Sequence, residues 1–244
     1  MIKQGDRSSG IVLTDRVIPR MWRAASTAPG KPWIMAHPGG CTSSKIITSR
    51  LDVRTQILCV ESVAPLPAEL IADLRTDHAG ETGAVMIYRG ILAVTRDADV
   101  RHFAQAHLTT ESGHLVLIEA LLAPPQRSRL LPLWRFAGWL TGALPALIGP
   151  RAVYATIEAV ETFVDRHYAE QIDSIDRHDP GGTQVPLQAL RVLLQTCRTD
   201  EIAHRDEAAA LLALSGKPAS LAVRAWVRSV GAGSRVAVKI CRWF

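Results

Sequence analysis

Between residues 67 and 216, apolar residues recur at helical spacing in four long stretches, and alternation typical of strands is scarce. Prolines suited to a first helical turn, and Asp97 as an N-cap, mark where the stretches begin. The predicted helices cover about 67–96, 97–123, 150–179 and 186–216, followed by a basic helical region over 219–243 that breaks near Gly231 to Gly233.

Residues 1–62 show no such period and carry clusters of Gly, Ser, Thr and Pro. They contain no apolar run long enough for a secretory signal. Their basic, acid-poor composition is vaguely like that of an organellar transit peptide, and a true start at Met21 or Met35 is an alternative. We expect a disordered basic extension over 1–62 and a folded helical domain over 63–244.

The segment between the second and third predicted helices differs from the rest of the domain. Phe136 to Pro150 is uncharged over 15 residues, whereas a membrane-spanning helix needs about 20. Trp134 and Trp139 are of the type that favours the membrane–water interface. We interpret the segment as a hairpin-like element that enters one leaflet, with a buried core helix as the alternative.

Composition supports an all-α fold, and the positions of the charged residues show that the positive net charge does not belong to the folded domain. The chain is 48% hydrophobic and only 5% aromatic. The formal charge of +5 comes from the ends, because 61–216 holds 13 basic and 20 acidic residues. We therefore expect a membrane surface as a partner and no nucleic acid. The four cysteines form no C-x-x-C motif and are expected to be free thiols.

Two Glu-x-x-His pairs, Glu111/His114 and Glu201/His204, are the main chemical signal. With 10 Glu and 8 His in 244 residues, chance predicts about 0.3 such pairs. Residues at i and i+3 share one helix face, so each pair presents a carboxylate with an imidazole. A dinuclear site also needs one Glu from each of two further helices. Glu81 lies 30 residues before the first pair and Glu161 lies 40 before the second.

Four carboxylates and two imidazoles suit two iron ions, because carboxylates can bridge two metals and imidazole also suits iron. Glu158, one turn before Glu161, is an alternative ligand. Asp200 lies one turn before His204 and could hold the outer nitrogen of that imidazole. The candidates for holding or orienting the ligands are Asp77, His78, His107, His167, Tyr168 and Asp200. His107 and His167 could equally be ordinary hydrogen-bonded polar residues.

These residues resemble the demethoxyubiquinone hydroxylase family of ubiquinone biosynthesis, a ferritin-like diiron family. The resemblance covers about 65–240 and is carried by the Asp77–Ala84 string, both Glu-x-x-His pairs, Ala159-Val160-Glu161 and His167-Tyr168. Thr82 stands where the family often has a Tyr, and 1–62 matches nothing in its pattern. The ligands implied by the resemblance are Glu81, Glu111, His114, Glu161, Glu201 and His204.

The fold implied by the resemblance is a ferritin-like four-helix bundle with an apolar membrane-associating segment and an extra C-terminal helix. The implied activity is hydroxylation of a demethoxyubiquinone or demethoxyubiquinol ring by a membrane-associated diiron monooxygenase. The resemblance also implies two iron ions, dioxygen as co-substrate and NADH as ultimate reductant. The sequence contains no G-x-G-x-x-G motif and so no recognisable dinucleotide-binding domain.

The implied partners are a prenylated quinone, the membrane surface and other ubiquinone-synthesis proteins. The expected location is peripheral, on the cytoplasmic face of a bacterial membrane or, alternatively, the matrix face of the mitochondrial inner membrane.

Three other functions use similar residues. A ferritin-like iron-storage or peroxide-scavenging protein needs the same ligands but no lipid-binding segment. A membrane scaffold with a structural metal would not need six intact ligands. A quinol oxidase of the alternative type would reduce oxygen fully to water. Analysis of the product formed from a demethoxyquinone separates the hydroxylase from all three.

Overall fold

The computed structural model describes residues 66–214 and 220–244, and the part that it describes is all-helical. The predicted extension over 1–62 lies outside the described residues. The helices are α1 (Ala68–Val94), α2 (Ala98–Ala120), α3 (Leu131–Ile148), α4 (Pro150–His178), α5 (Val185–Leu214) and α6 (Leu221–Cys241), with a 3₁₀ turn over Pro124–Gln126.

Local sequence signals explain the helix starts. The Asp97 side chain accepts hydrogen bonds from the backbone N–H groups of Asp99 and Val100, which are otherwise unpaired in the first turn of α2. Pro150 occupies the first turn of α4, where its missing N–H costs nothing. The four helices predicted in the domain are confirmed to within a few residues at their ends.

Two apolar clusters occupy opposite ends of the assembly formed by α1, α2, α4 and α5. One cluster contains Leu70, Ile118 and Leu190. The other contains Ile91 and Phe103. The clusters supply the buried apolar area that stabilises the fold, and the buried carboxylates and imidazoles lie on the helix turns between them.

Helix α3 packs with its backbone directly against α1. A Cβ atom on Gly142 would lie 1.9 Å from the carbonyl oxygen of Ile87, and one on Gly138 would lie 2.4 Å from that of Gly83. Only glycine permits this approach. The expected hairpin-like element is therefore wrong, because the glycines that weaken an isolated helix form the contact face of one continuous helix.

The predicted break in the last helix near Gly231 is also wrong, since α6 continues from Leu221 to Cys241. Tertiary contacts offset the helix cost of its glycines, which is about 1 kcal/mol each. Trp226 Nε1 donates to Thr156 Oγ1 of α4 at 3.0 Å. At the other end the Phe244 carbonyl accepts from the Arg129 N–H at 2.7 Å.

Among the described helices, none is both long and apolar enough to cross a bilayer. Helix α3 instead turns large apolar side chains outward on the face opposite α1. These exposed residues are Leu133, Phe136, Leu144, Leu147 and Ile148.

Candidate metal centre

Six buried side chains from four helices converge in the middle of the assembly. They form two groups of four, each with ligand-type atoms within 4.8 Å of one another, and Glu111 and Glu201 belong to both groups. Helix α1 contributes Glu81, and α4 contributes Glu161. The two groups are Glu81, Glu111, His114 and Glu201, and Glu111, Glu161, Glu201 and His204.

Each imidazole faces the shared carboxylate of the opposite helix. Nδ1 of His114 lies 3.0 Å from Glu201 Oε1, and Nδ1 of His204 lies 3.0 Å from Glu111 Oε1. The same nitrogen of both rings therefore points into the centre, as expected for two helices that carry one Glu-x-x-His pattern each. The arrangement repeats across a pseudo-twofold axis.

The donor set fits metal ions better than it fits a hydrogen-bonded core. Despite the short distances, His114 Nδ1, His204 Nδ1 and both carboxylate oxygens of Glu201 make no hydrogen bond of acceptable geometry. Buried polar atoms are normally paired. A bound cation would interact favourably with these converging, unpaired nitrogen and oxygen atoms. A set of carboxylates and imidazoles suits iron.

The pKa values of the buried carboxylates in the metal-free chain also indicate that the centre lacks compensating positive charge. Burial, followed by the neighbouring carboxylates, raises the pKa of Glu161 well above its ordinary value, and burial does the same to the pKa of Glu81. Burial also disfavours the charged form of Glu201, but attraction to the nearby imidazoles of His114 and His204 outweighs it and lowers the pKa of Glu201 to about 2. Four ionised carboxylates at this depth therefore require compensating cations.

Two tyrosines form hydrogen bonds with Glu81 and Glu161, the two carboxylates that each belong to only one of the groups of four. Tyr88 of α1 donates its hydroxyl hydrogen to Glu161 Oε1 at 3.0 Å. Tyr168 of α4 donates a short hydrogen bond to Glu81 Oε1. Each tyrosine lies seven residues after the glutamate of its own helix and reaches the glutamate of the other. Tyr168 was among the residues predicted from the sequence and Tyr88 was not, although the identical spacing was a usable signal.

Asp200 lies beside the centre, but it does not hold the imidazole that was predicted. Its Oδ2 atom is 3.1 Å from Nε2 of His114 on α2, rather than bonded to His204 on its own helix. The reason is that Asp200 precedes Glu201, so its side chain lies on the flank of α5 that faces α2. Sequence spacing along one helix could not give this contact between helices.

His107 also lies beside the centre. Its ring stacks on that of His204, with the centroids 3.9 Å apart. Its Nδ1 atom is 3.1 Å from the Tyr88 hydroxyl, and its Nε2 atom is 2.9 Å from Glu207 Oε2. Burial and the neighbouring His204 lower the pKa of His107 to about 4. Glu207 is a further residue of this surrounding shell that the sequence patterns did not indicate.

The remaining candidates lie in a separate network. Gln171 Nε2 donates to Asp77 Oδ1 at 2.7 Å, and His167 Nε2 lies 3.3 Å from the same atom. The nearest carboxylate to His78 Nε2 is that of Glu119, at 3.9 Å. Among the described residues, no side-chain bond of Asp77, His78 or His167 reaches one of the six converging groups.

The fold and the site define a helical protein with a buried carboxylate–imidazole cluster of metal-binding type. Residues 68–241 match the family described as ubiquinone biosynthesis protein COQ7, and the chain belongs to that family. Membership confirms the resemblance seen in the motifs.

Named relatives agree with this assignment. The chain is 42% identical over 150 residues to the 3-demethoxyubiquinol 3-hydroxylase of Rhodospirillum rubrum, a match spanning 58% of this chain and 65% of that protein. It is 30% identical over 190 residues to the human mitochondrial NADPH-dependent 3-demethoxyubiquinone 3-hydroxylase, spanning 77% of this chain and 80% of that protein.

Proposed function

We propose that this chain is a diiron monooxygenase that hydroxylates a demethoxyubiquinone or demethoxyubiquinol ring in ubiquinone biosynthesis. The observation that carries the proposal is the pair of overlapping four-residue groups that share Glu111 and Glu201. The two groups would hold two metal ions, with Glu111 and Glu201 available to both. The family membership and the names of the relatives give the ring hydroxylation.

The six converging residues would hold the metals in distinct roles. Glu111 and Glu201, which belong to both groups, would serve both ions, and His114 and His204 would each hold one. Glu81 and Glu161 would each bind one ion, with an oxygen fixed by the opposite tyrosine. When bound, iron supplies the activation of dioxygen. The protein orients the ligands and keeps the centre buried away from water.

Electrons for the reaction come from a nicotinamide reductant in this proposal. The human relative is named NADPH-dependent, whereas the sequence resemblance led us to expect NADH. Reduction by either dinucleotide, directly or through the bound quinone, satisfies the two-electron requirement. Comparing the two reductants with the same iron-loaded protein decides between them.

Membrane attachment through α3 supports a substrate with a prenyl tail. Phe136 and Leu147 are 62% and 72% exposed on the outward face of α3. The opposite face of α3 contacts α1 at Gly83, two residues after Glu81. A prenyl tail in the membrane would therefore lie next to α1, the helix that carries Glu81. The basic residues of α6 add attraction to anionic lipid.

The proposed location is peripheral, on the cytoplasmic face of a bacterial membrane, with the matrix face of the mitochondrial inner membrane as the alternative. Other ubiquinone-synthesis proteins are proposed partners there.

The test is conversion of a demethoxyubiquinol by the iron-loaded protein with oxygen and reductant, followed by mass spectrometry. The proposal expects a hydroxylated product from the unmodified chain and none from Glu111→Ala, which should still fold because it removes a ligand rather than an apolar contact. Mineralised iron with an untouched quinone would support the iron-storage alternative instead.

A further inference from the structure

A polar cavity of about 300 Å³ lies at the end of the helical assembly where α1 begins. It is lined by the first two turns of α1, the C-terminal half of α4 and Arg242, and by none of the six converging residues. Four carboxylates and two guanidinium groups give its walls a formal charge of −2 before His167 is counted. The carboxylates belong to Glu69, Asp73, Glu170 and Asp173, and the guanidinium groups belong to Arg177 and Arg242.

Two buried side chains of the cavity wall have polar atoms without a partner. Gln171 and Ser174 are 3% and 4% exposed, and both line the cavity. Among the described residues, neither Gln171 Oε1 nor Ser174 Oγ makes a hydrogen bond. Because buried polar atoms are normally paired, these two oxygens indicate a partner that the described part of the chain does not supply.

The orientation of the Gln171 amide follows from its neighbour Asp77. The amide nitrogen, Nε2, donates to Asp77 Oδ1 at 2.7 Å. A carboxylate accepts hydrogen bonds, so the opposite orientation of the amide would place two acceptors against each other. The amide oxygen is therefore directed away from Asp77 and can accept a hydrogen bond from a ligand in the cavity.

The carboxylates on the α4 wall of the cavity lack compensating charge. Asp73 on the α1 wall pairs with Arg242 at 2.9 Å. Glu170 and Asp173, by contrast, enter no ion pair within the part of the chain that the structure describes. They share one face of α4 with Ser174, because these three residues are spaced three and four apart or adjacent. Negative charge and unpaired acceptors thus lie side by side on one wall.

These features favour a ligand that donates hydrogen bonds and carries more than one positive charge. A metal ion fits poorly. Among the described residues, the groups of three or more His, Cys, Asp or Glu that are close enough to hold an ion lie in the centre. The carboxylates of the cavity are spread too widely to share one ion, whereas an extended organic cation can contact them separately.

We propose that this cavity binds an aliphatic diamine. One ammonium group donates to Gln171 Oε1 and Ser174 Oγ inside the cavity, and the other pairs with Glu170 and Asp173 at its rim. Aliphatic amines are protonated at neutral pH, so a charge of about +2 on the ligand offsets the charge of the walls. The site is separate from the centre and does not depend on the proposed hydroxylation.

The first test is titration calorimetry of the full-length, iron-loaded protein with putrescine. The matched ligand is n-butylamine, which has the same carbon chain and a single ammonium group. Iron in the centre prevents the amines from binding to its carboxylates instead. We expect putrescine to bind with a Kd of about 1 mM or tighter, as suits a small ligand with a few charged contacts. Binding of n-butylamine should be weaker by at least about tenfold.

Three variants locate the bound diamine. Asp173→Asn removes a charge at the rim and should weaken putrescine binding about tenfold, and Ser174→Ala removes an acceptor and should weaken it about fivefold. Asp176→Asn is the control. Asp176 lies on the same helix, pairs with Arg191 and does not line the cavity. Its affinity for putrescine should equal that of the unmodified chain.

The stability of Ser174→Ala without ligand provides a separate readout. Removing a hydroxyl group that has no partner should leave the Tm unchanged or raise it, while binding is weakened. A lower Tm would show that the hydroxyl group already has a partner in the protein, and would overturn the site.

Three results of the titrations would also overturn the proposal. The first is no binding of putrescine at about 10 mM. The second is equal affinity for putrescine and n-butylamine, or equal affinity of Asp173→Asn and Asp176→Asn for putrescine. The third is binding of Mg²⁺ that Asp173→Asn abolishes, without binding of putrescine, which would make the cavity a metal site instead.

Discussion

Asp200 of α5 lies 3.1 Å from the outer nitrogen of His114 on α2, and so ties one helix of the centre to another. A carboxylate in this position fixes the ring orientation and makes the inner nitrogen a better ligand. We predict that Asp200→Asn weakens iron binding about 10- to 100-fold, the range typical of such partners. Iron titration against Asp206→Asn provides the comparison, and equal affinities would refute this role of Asp200.

Glu161, and not Glu158, is the ligand expected from α4. Glu161 is one of the six converging residues, whereas Glu158 belongs to neither group of four. Glu161→Gln should therefore reduce bound iron to about half or less of the amount held by a two-ion site. Glu158→Gln one turn away should bind normally. Metal analysis of the two purified variants checks this, and a reversed order would move the ligand role to Glu158.

Metal stabilisation should increase with pH. Burial raises the pKa of Glu81 and Glu161. For His204, attraction to the carboxylates of Glu111 and Glu201 outweighs burial and raises its pKa to about 9. Groups with a raised folded pKa stabilise the metal-free fold at low pH and lose that contribution as pH rises through the folded pKa. Metal binding releases the same protons.

The difference in Tm between iron-loaded and metal-free protein should therefore widen from about pH 7 to about pH 9, a window taken from the raised pKa values. Anaerobic calorimetry with ferrous protein measures it. A gap that stays constant or narrows over this window would contradict the protonation states given for the metal-free centre.

The outward face of α3 should mediate membrane association. Introducing charge at Phe136 or Leu147 places it on the face that we propose enters lipid, at a cost of a few kcal/mol. Phe136→Asp and Leu147→Asp should reduce binding to anionic vesicles while iron content is retained. Val116→Asp, at an apolar residue of similar exposure on α2, is the matched control. Equal vesicle binding by all three variants would exclude α3 as the attachment surface.

Close packing of α3 on α1 should make Gly142 intolerant of a side chain. A Cβ atom there would meet the Ile87 carbonyl at 1.9 Å, so Gly142→Ala should destabilise the fold by about 1–3 kcal/mol. Gly233→Ala on α6 meets nothing within 4 Å and should be neutral or stabilising. Denaturant unfolding compares the two variants, and equal stability would show that α1 and α3 are less closely packed.

The sequence was sufficient for what depends on spacing along one helix. The two Glu-x-x-His pairs could be found because the i, i+3 spacing places each pair on one helix face. The choice of Glu161 over Glu158, by contrast, rested on the family resemblance. The start of α2 followed from Asp97, whose capping chemistry is local. Tyr168 could also be predicted, because it lies two helical turns after Glu161 on the same helix.

Contacts between helices could not be found in this way. Asp200 bonds to His114 rather than to His204, because the partner of Asp200 depends on how α2 and α5 are rotated relative to each other. Gly138 and Gly142 indicate a weak helix in isolation, and only the presence of α1 turns them into a packing face. Glu207 has no local feature that distinguishes it from a solvated carboxylate until His107 is placed beside it.

The proposed reaction inserts one oxygen atom of dioxygen into a demethoxyquinone ring at the centre formed by the six converging residues. The most direct measurement is turnover of the iron-loaded full chain under ¹⁸O₂, with mass spectrometry of the quinone. We predict one labelled oxygen atom in each hydroxylated product, and no product from Glu111→Ala at equal protein concentration. Consumption of oxygen with an unlabelled, unchanged quinone would contradict the account.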